Sequence, residues 1–115
     1  RSPRSGVVQI AMKYLGSPYQ WASSAPGSFD CSGFTMFVYA QVGVRLDHSS
    51  RAQIDQGERV GRANLQPGDL VFFGSPIHHV GMYIGGGQMI HAPHSGDVVS
   101  IDSIDRGNYA GACRP

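Results

Sequence analysis

The spacing of apolar residues changes character at Gln66-Pro67-Gly68-Asp69, and that change limits the folds open to the chain. Upstream the pattern is helical. Val7, Ile10, Ala11, Tyr14 and Leu15 fall on one face of a helix over about residues 6–15, which Gly16 stops and Pro18 follows. Phe34, Thr35, Phe37, Val38, Tyr39 and Val42 go nearly all the way round a second helix, about residues 31–42, so that helix must be buried on most sides. Ser28 or Asp30 can cap it and Gly43 can end it. Ser50 and Gln53 have capping-box spacing, which predicts a short third helix to about Gln56. Pro67 and Gly68 then suit the central positions of a type II turn. Downstream, short runs at about residues 70–73, 79–84, 88–92, 98–101 and 109–114 are separated by Gly, Pro, Ser and Asp and read as antiparallel strands. Helices first and strands second predict an α+β domain, with the helices packed on one face of the sheet.

Composition narrows the function. A chain of 115 residues with 41% hydrophobic and 15% charged residues is globular and long enough for a core. A formal net charge of +1, with no basic cluster on any segment, argues against nucleic acid as a partner. No apolar stretch approaches the roughly 20 residues that span a bilayer. The two cysteines, Cys31 and Cys113, are either a disulfide or one reactive thiol and one core residue.

The glycines Gly85-Gly86-Gly87 separate two strand candidates. Treated as a three-residue hairpin loop, they pair Ile84 with Gln88, Tyr83 with Met89, Met82 with Ile90 and Gly81 with His91. Paired residues share a face, so His91 lies on the face of His79, on a diagonal, with Gly81 leaving space between them. His78 points the other way. A two-residue loop would reverse the parity and set His91 beside Val80.

Cys31 sits where a loop becomes a helix, so the unpaired N–H groups and the dipole of the first turn favour a thiolate there. Cys31 then reads as a nucleophile, His79 as its base and His91 as the group that orients the base. A histidine in that third place is itself titratable, which predicts loss of activity at mildly acid pH. The Cys31 N–H and the Tyr19 hydroxyl are candidates for an oxyanion hole.

Four segments, Asp30-Cys31-Ser32-Gly33-Phe34, residues 65–73, residues 79–84 and Ile90-His91-Ala92-Pro93, resemble in order the motifs of the NlpC-type cell-wall endopeptidases. The resemblance covers nearly the whole chain. It implies a papain-like α+β fold, with N-terminal helices on a five- to six-stranded antiparallel sheet and the nucleophile at the N-terminus of a buried helix. It implies a monomeric cysteine endopeptidase without metal or other cofactor, secreted or wall-associated, with residues 1–115 as one catalytic module of a larger exported protein. The implied partner is the peptidoglycan stem peptide, cut between D-γ-glutamyl and a diamino acid through a thioacyl-enzyme. Cys31, His79 and His91 take the catalytic places and Tyr19 that of the tyrosine near the nucleophile. Asp30, Ser32, Trp21, Ser49, Ser50, Arg51 and His78 are the substrate-facing candidates. Two departures stand out: Ala22-Ser23 replace the usual glycines after Trp21, and Asp47-His48 stand where many relatives have Pro-Arg.

Duller readings of the same residues exist. Asp30, Ser49 and Ser50 suit helix caps, Arg51 a surface, Tyr19 and Trp21 packing, and His48 and His94 exposed loops. Rival functions are a zinc site made by Cys31, His79 and His91, a non-catalytic wall-binding module, and an amidase acting at the muramoyl–alanine bond.

Overall fold

A computed structural model describes residues 6–19, 24–25 and 28–115, with residues 24, 25, 28 and 29 described by their backbone alone. Helix α1 (Val7–Met12) is shorter than its apolar stripe. Val7 and Ala11 are buried, but the chain relaxes into turns after Met12 and Leu15 is left 42% exposed. The reason is a competing partner. Gly16 N–H donates to the Val99 carbonyl and Val99 N–H to that of Ser17, so residues 16–19 run alongside residues 97–99.

A two-residue ribbon, β1 (Ser24–Ala25) with β2 (Ser28–Phe29), leads into helix α2 (Cys31–Ala40). Of the two caps expected, Asp30 is the one in place: its Oδ1 accepts from Gly33 N–H at 2.6 Å. Phe34, Val38 and Tyr39 are fully buried, as an apolar wrap demands. Helix α3 (Ser50–Gln53) starts one residue earlier than its capping-box reading. Ser49, not Ser50, is the cap, accepting from Ala52 N–H at 3.3 Å. Gln53 does not reach back to the cap; it is fully buried. It donates to the carbonyls of Ser32 (3.0 Å) and Asp47 (2.8 Å) and accepts from Thr35 Oγ1 (2.7 Å). One amide thus ties α3 to the first turn of α2, a fully satisfied buried network of the kind that rigidifies a core.

Beyond a short strand β3 (Glu58–Arg59), which the sequence reading omits, and a 3₁₀ turn (Arg62–Asn64), the type II turn forms as expected. Asp69 N–H donates to the Gln66 carbonyl at 3.0 Å, and Gly68 has the φ of 98° that such a turn requires. Strands β4 (Leu70–Phe73), β5 (His79–Gly85), β6 (Gln88–His91), β7 (Ser100–Ser103) and β8 (Tyr109–Arg114) complete a sheet. Its order is β3-β8-β4-β5-β6-β7, antiparallel throughout. The architecture is α+β. Leu70, Phe72, Val80, Met82 and Ile90 pack toward the helices; Val71, Phe73 and Met89 form a second cluster on the opposite face with Ile104 and Ala112. Covering both faces of β4 explains its unbroken apolar run.

The glycine hairpin differs from expectation in a way that preserves its consequence. The loop has two residues, Gly86 and Gly87, with φ of 62° and 75°, as a type I′ turn needs. Gly85, not Ile84, pairs with Gln88. A two-residue loop alone would reverse the parity, but the register shifts between Tyr83 and Gly85, leaving Ile84 as the extra residue of a bulge. Tyr83 faces Met89 and Met82 faces Ile90, the pairs expected.

Candidate active site

The bulge-corrected register carries His79 and His91 to the same face of β5 and β6. His79 Nε2 lies 2.7 Å from His91 Nδ1, with ring centroids 5.0 Å apart and the rings inclined at 71°. Gly81 makes the approach possible. A Cβ there would stand 2.6 Å from Met89 Sδ and 3.2 Å from His91 Cβ. His79 also packs against Phe73, at 5.9 Å between rings. His78, as expected, does not join this pair. It is exposed and lines the cleft instead.

Cys31, at the start of α2, shares a recess with His79, and the backbone N–H of Val80, the residue after His79, is among the groups that favour its thiolate. Cys31, His79, Tyr19 and Arg106 line one recess of about 310 Å³. It adjoins a cleft of about 530 Å³ that Cys31 and Tyr19 share with Asp30, Ser32, His48, Ser49, Ser50, Arg51 and His78. The structure therefore brings all but one of the substrate-facing candidates to the cleft; Trp21 lies outside the described residues. Ser49 also caps α3, and Arg51 Nε donates to the Ile77 carbonyl at 3.2 Å. Asp30 serves as cap and, through the same Oδ1, as partner of His48 Nε2 at 2.8 Å. His48 is an exposed loop residue, as expected, and also lines the cleft.

The ionisation of the site differs from expectation. Burial pushes the Cys31 thiol up, and the Asp30 carboxylate adds to this; the N–H groups of Val80, Ser32 and Cys31 itself oppose it without winning. Desolvation outweighs the helix start. Burial likewise pulls His79 down to about 3, with the neighbouring His91 second in effect. His91 is lowered by burial too, against the pull of Asp102. Burial thus favours the neutral thiol and the neutral imidazole in this recess. Burial therefore opposes protonation of the titratable histidine in the third place, against the mildly acid titration expected of it.

Asp102 is the residue that the sequence reading missed. Its Oδ2 lies 2.7 Å from His91 Nε2. The missing signal was strand register: β7 runs over residues 100–103, not 98–101, and places His91 opposite Ser100.

Two rival arrangements find no counterpart. Cys31 and Cys113 are both free thiols, Cys113 being buried with its Sγ 3.2 Å from the Gln53 carbonyl. Among the described residues, no three His, Cys, Asp or Glu side chains converge as a metal site demands. His79, His91 and Asp102 stand in series, not around a point. No helix among the described residues is long and apolar enough to cross a membrane.

The NlpC/P60 family pattern matches residues 16–113. A Listeria grayi protein named "Probable endopeptidase p60" is 53% identical over 102 residues, 87% of this chain and 20% of that protein. A Mycobacterium bovis protein named "Probable endopeptidase Mb2213c" is 44% identical over 89% of this chain and 26% of its own length. The chain thus spans about a fifth to a quarter of the curated relatives it matches. Among solved structures, an NlpC/P60 family protein from Bacillus cereus superposes with a TM-score of 0.91 at 38% identity, covering 96% of this chain and 39% of that one. The NlpC/p60 domain of peptidoglycan hydrolase SagA gives 0.90 at 38% identity, covering 97% of this chain and 98% of that one. A match over nearly the whole chain, with the same fold at this identity, makes the protein a member of the NlpC/P60 family.

Proposed function

We propose that this domain is a cysteine endopeptidase that hydrolyses peptidoglycan stem peptides, with Cys31 as nucleophile, His79 as base and His91 as the group that orients it. The observation that carries the reading is the 2.7 Å bond from His79 Nε2 to His91 Nδ1 beside a cysteine at a helix start. The names of the relatives, endopeptidase and peptidoglycan hydrolase, support the substrate class.

With Nε2 committed to His91, the free nitrogen of His79 is Nδ1. The Cys31 thiol gives its proton to Nδ1 as sulfur attacks the scissile carbonyl carbon. The resulting oxyanion is met by the Cys31 N–H and the Tyr19 hydroxyl. Collapse breaks the C–N bond, and the leaving amine takes the proton from His79. Water, deprotonated by the same Nδ1, then cleaves the thioester and restores the thiol. Burial favours the neutral pair at rest, so the ion pair forms when substrate arrives and shields it.

The cleft suits a peptide carrying both charges. Asp30, whose second carboxylate oxygen has no partner among the described residues, suits a free amine; Arg51 suits the α-carboxylate that a γ-linked glutamyl leaves free. These charges favour the D-γ-glutamyl–diamino acid bond, with Ser32, Ser49, Ser50, His78 and Trp21 as further contacts. We read residues 1–115 as the catalytic module of a longer exported, wall-associated protein, acting as a monomer. Incubation with purified stem peptides and mass spectrometry of the products tests this. Cleavage before the diamino acid, absent in Cys31→Ala, is expected. Turnover that survives Cys31→Ala sinks the mechanism, and cutting only at the muramoyl–alanine amide makes the enzyme an amidase.

A further inference from the structure

Three neighbouring strands carry three polar side chains on one face, each a diagonal step from the last. His79 is on β5, His91 on β6 and Asp102 on β7. The second step is read from register: His91 lies opposite Ser100 and Met89 opposite Asp102, so Asp102 stands one pair along from His91 on the same face. The contacts are 2.7 Å from His79 Nε2 to His91 Nδ1 and 2.7 Å from His91 Nε2 to Asp102 Oδ2. His91 is fully buried, and both its ring nitrogens are engaged.

We propose that Asp102 is a positioning residue which, acting through His91, fixes the proton positions along this chain and so aims a basic Nδ1 of His79 at Cys31. The inference rests on the reading of Cys31, His79 and His91 as the reacting set.

The argument is one of donors and acceptors. Its contact with His91 holds the Asp102 carboxyl below its ordinary range, so it is ionised and can only accept. The proton between them therefore sits on His91 Nε2. Neutral His91 then has a bare Nδ1, which must accept. The proton of the next bond consequently belongs to His79 Nε2, and neutral His79 is left with its lone pair on Nδ1. Once Nδ1 takes the thiol proton, the His79 imidazolium still donates through Nε2 to a His91 that can only accept. The proton passes between Cys31 and His79 alone; Asp102 gains none. Without Asp102, His91 is free to carry its hydrogen on Nδ1. It then opposes the Nε2–H of His79, and the chain inverts or breaks.

Asp102 has little structural reason to be there. Its side chain is 48% exposed on a terminal strand of the sheet, and among the described residues Ser100 Oγ, at 3.5 Å, is its other partner. Among the described residues, Arg106, His78, His94 and Asp97 are further charged and titratable groups bearing on the pair. Arg106 disfavours protonation of both imidazoles, and at His91 Asp102 is the anion in direct contact that opposes it.

The test compares the unaltered chain with Asp102→Asn, Asp102→Ala, Asp102→Glu and the control Asp105→Asn, an exposed carboxylate paired with Arg62. The pH profile of Cys31 alkylation by iodoacetamide reports thiolate formation without any substrate. Cys113 stays silent, because burial pushes its thiol up to about 12. Expected are alkylation about tenfold slower at neutral pH in Asp102→Asn and Asp102→Ala, kcat on stem peptides down about 10- to 100-fold with KM within twofold, partial rescue in Asp102→Glu, and no change in Asp105→Asn. Nitrogen-15 spectra of the imidazoles should show His91 protonated at Nε2 in the unaltered chain and a mixture of tautomers in Asp102→Ala. An unchanged tautomer, alkylation profile and kcat in Asp102→Asn overturn the proposal. If Asp102→Ala fails to fold, the isosteric Asp102→Asn decides alone. Altered alkylation in a chain that cleaves no stem peptide leaves this inference standing and removes the substrate reading; normal turnover in Asp102→Asn does the reverse.

Discussion

His48 Nε2 lies 2.8 Å from Asp30 Oδ1, the oxygen that also caps α2 through Gly33 N–H at 2.6 Å. The pair stands at the cleft wall beside Cys31, so His48 shares a carboxylate that we assign to the substrate's amine. His48→Ala removes that competition and leaves the cap. For a partly exposed pair the gain is modest: KM for stem peptides with a free amine should fall about two- to fivefold, with kcat steady. N-acetylated stem peptides should show no change. A rise in KM would mean that His48 holds Asp30 in its working orientation instead.

The two duties of Asp30 can be separated. Asp30→Ala removes both the cap and the charge, and should lower stability by about 1 kcal/mol in chemical denaturation. Asp30→Ser keeps an oxygen for Gly33 N–H and should retain most of that stability. Both should weaken binding of free-amine substrates. If Asp30→Ser binds them as the unaltered chain does, Asp30 is a cap alone.

What could be read from the sequence depended on how local the cause was. Helix α2 was legible because its cap and its apolar wrap lie within the helix itself. The pairing of His79 with His91 is legible because a hairpin fixes parity over a few residues: the three-glycine spacing predicts a loop one residue longer than the one that forms, and the bulge at Ile84 restores the parity. Strand β7 was displaced because Val98 and Val99, good strand formers, engage residues 17 and 18 from the far end of the chain. With β7 misplaced, Asp102 fell beyond the strand and its contact with His91 was lost from view. The spacing of Ser50 and Gln53 predicts a capping role for Gln53, since nothing nearby in sequence marks it as buried. The ionisation of Cys31 was illegible for the same reason: the helix start is local, but the desolvation that outweighs it comes from the whole fold.

Burial of His79 makes stability depend on pH. Its folded-state pKa is about 3, against roughly 6.5 in the unfolded chain. Between those values the unfolded chain binds the extra proton, so acid favours unfolding. The stability is complete above about pH 6.5 and declines as pH falls toward 3, by at most about 1.4 kcal/mol per pH unit from this group. His91, lowered by burial as well, acts in the same direction. Urea denaturation between pH 4 and 8 should show this slope, and His79→Gln should flatten it. An equal slope in His79→Gln would assign the acid sensitivity to other groups.

Gly81→Ala tests the geometry without touching a polar group. The added Cβ would stand 2.6 Å from Met89 Sδ and 3.2 Å from His91 Cβ. Met89 is flexible but fully buried, so it has little room to yield, and His91 must give by a few tenths of an ångström. Overpacking of this kind costs about 1–3 kcal/mol. The His79–His91 bond at 2.7 Å has little slack to absorb the shift, since both residues are paired within the sheet, His79 with Phe73 and His91 with Ser100. Activity should therefore fall well beyond what the loss of folded protein explains: about tenfold or more in kcat at a temperature where the variant remains folded. Gly86→Asn is the matched control. It places a side chain on the same hairpin, in open space and in a conformation that Asn tolerates, and should leave kcat unchanged. A Gly81→Ala enzyme with full kcat would show that His91 can shift without consequence for the base it orients.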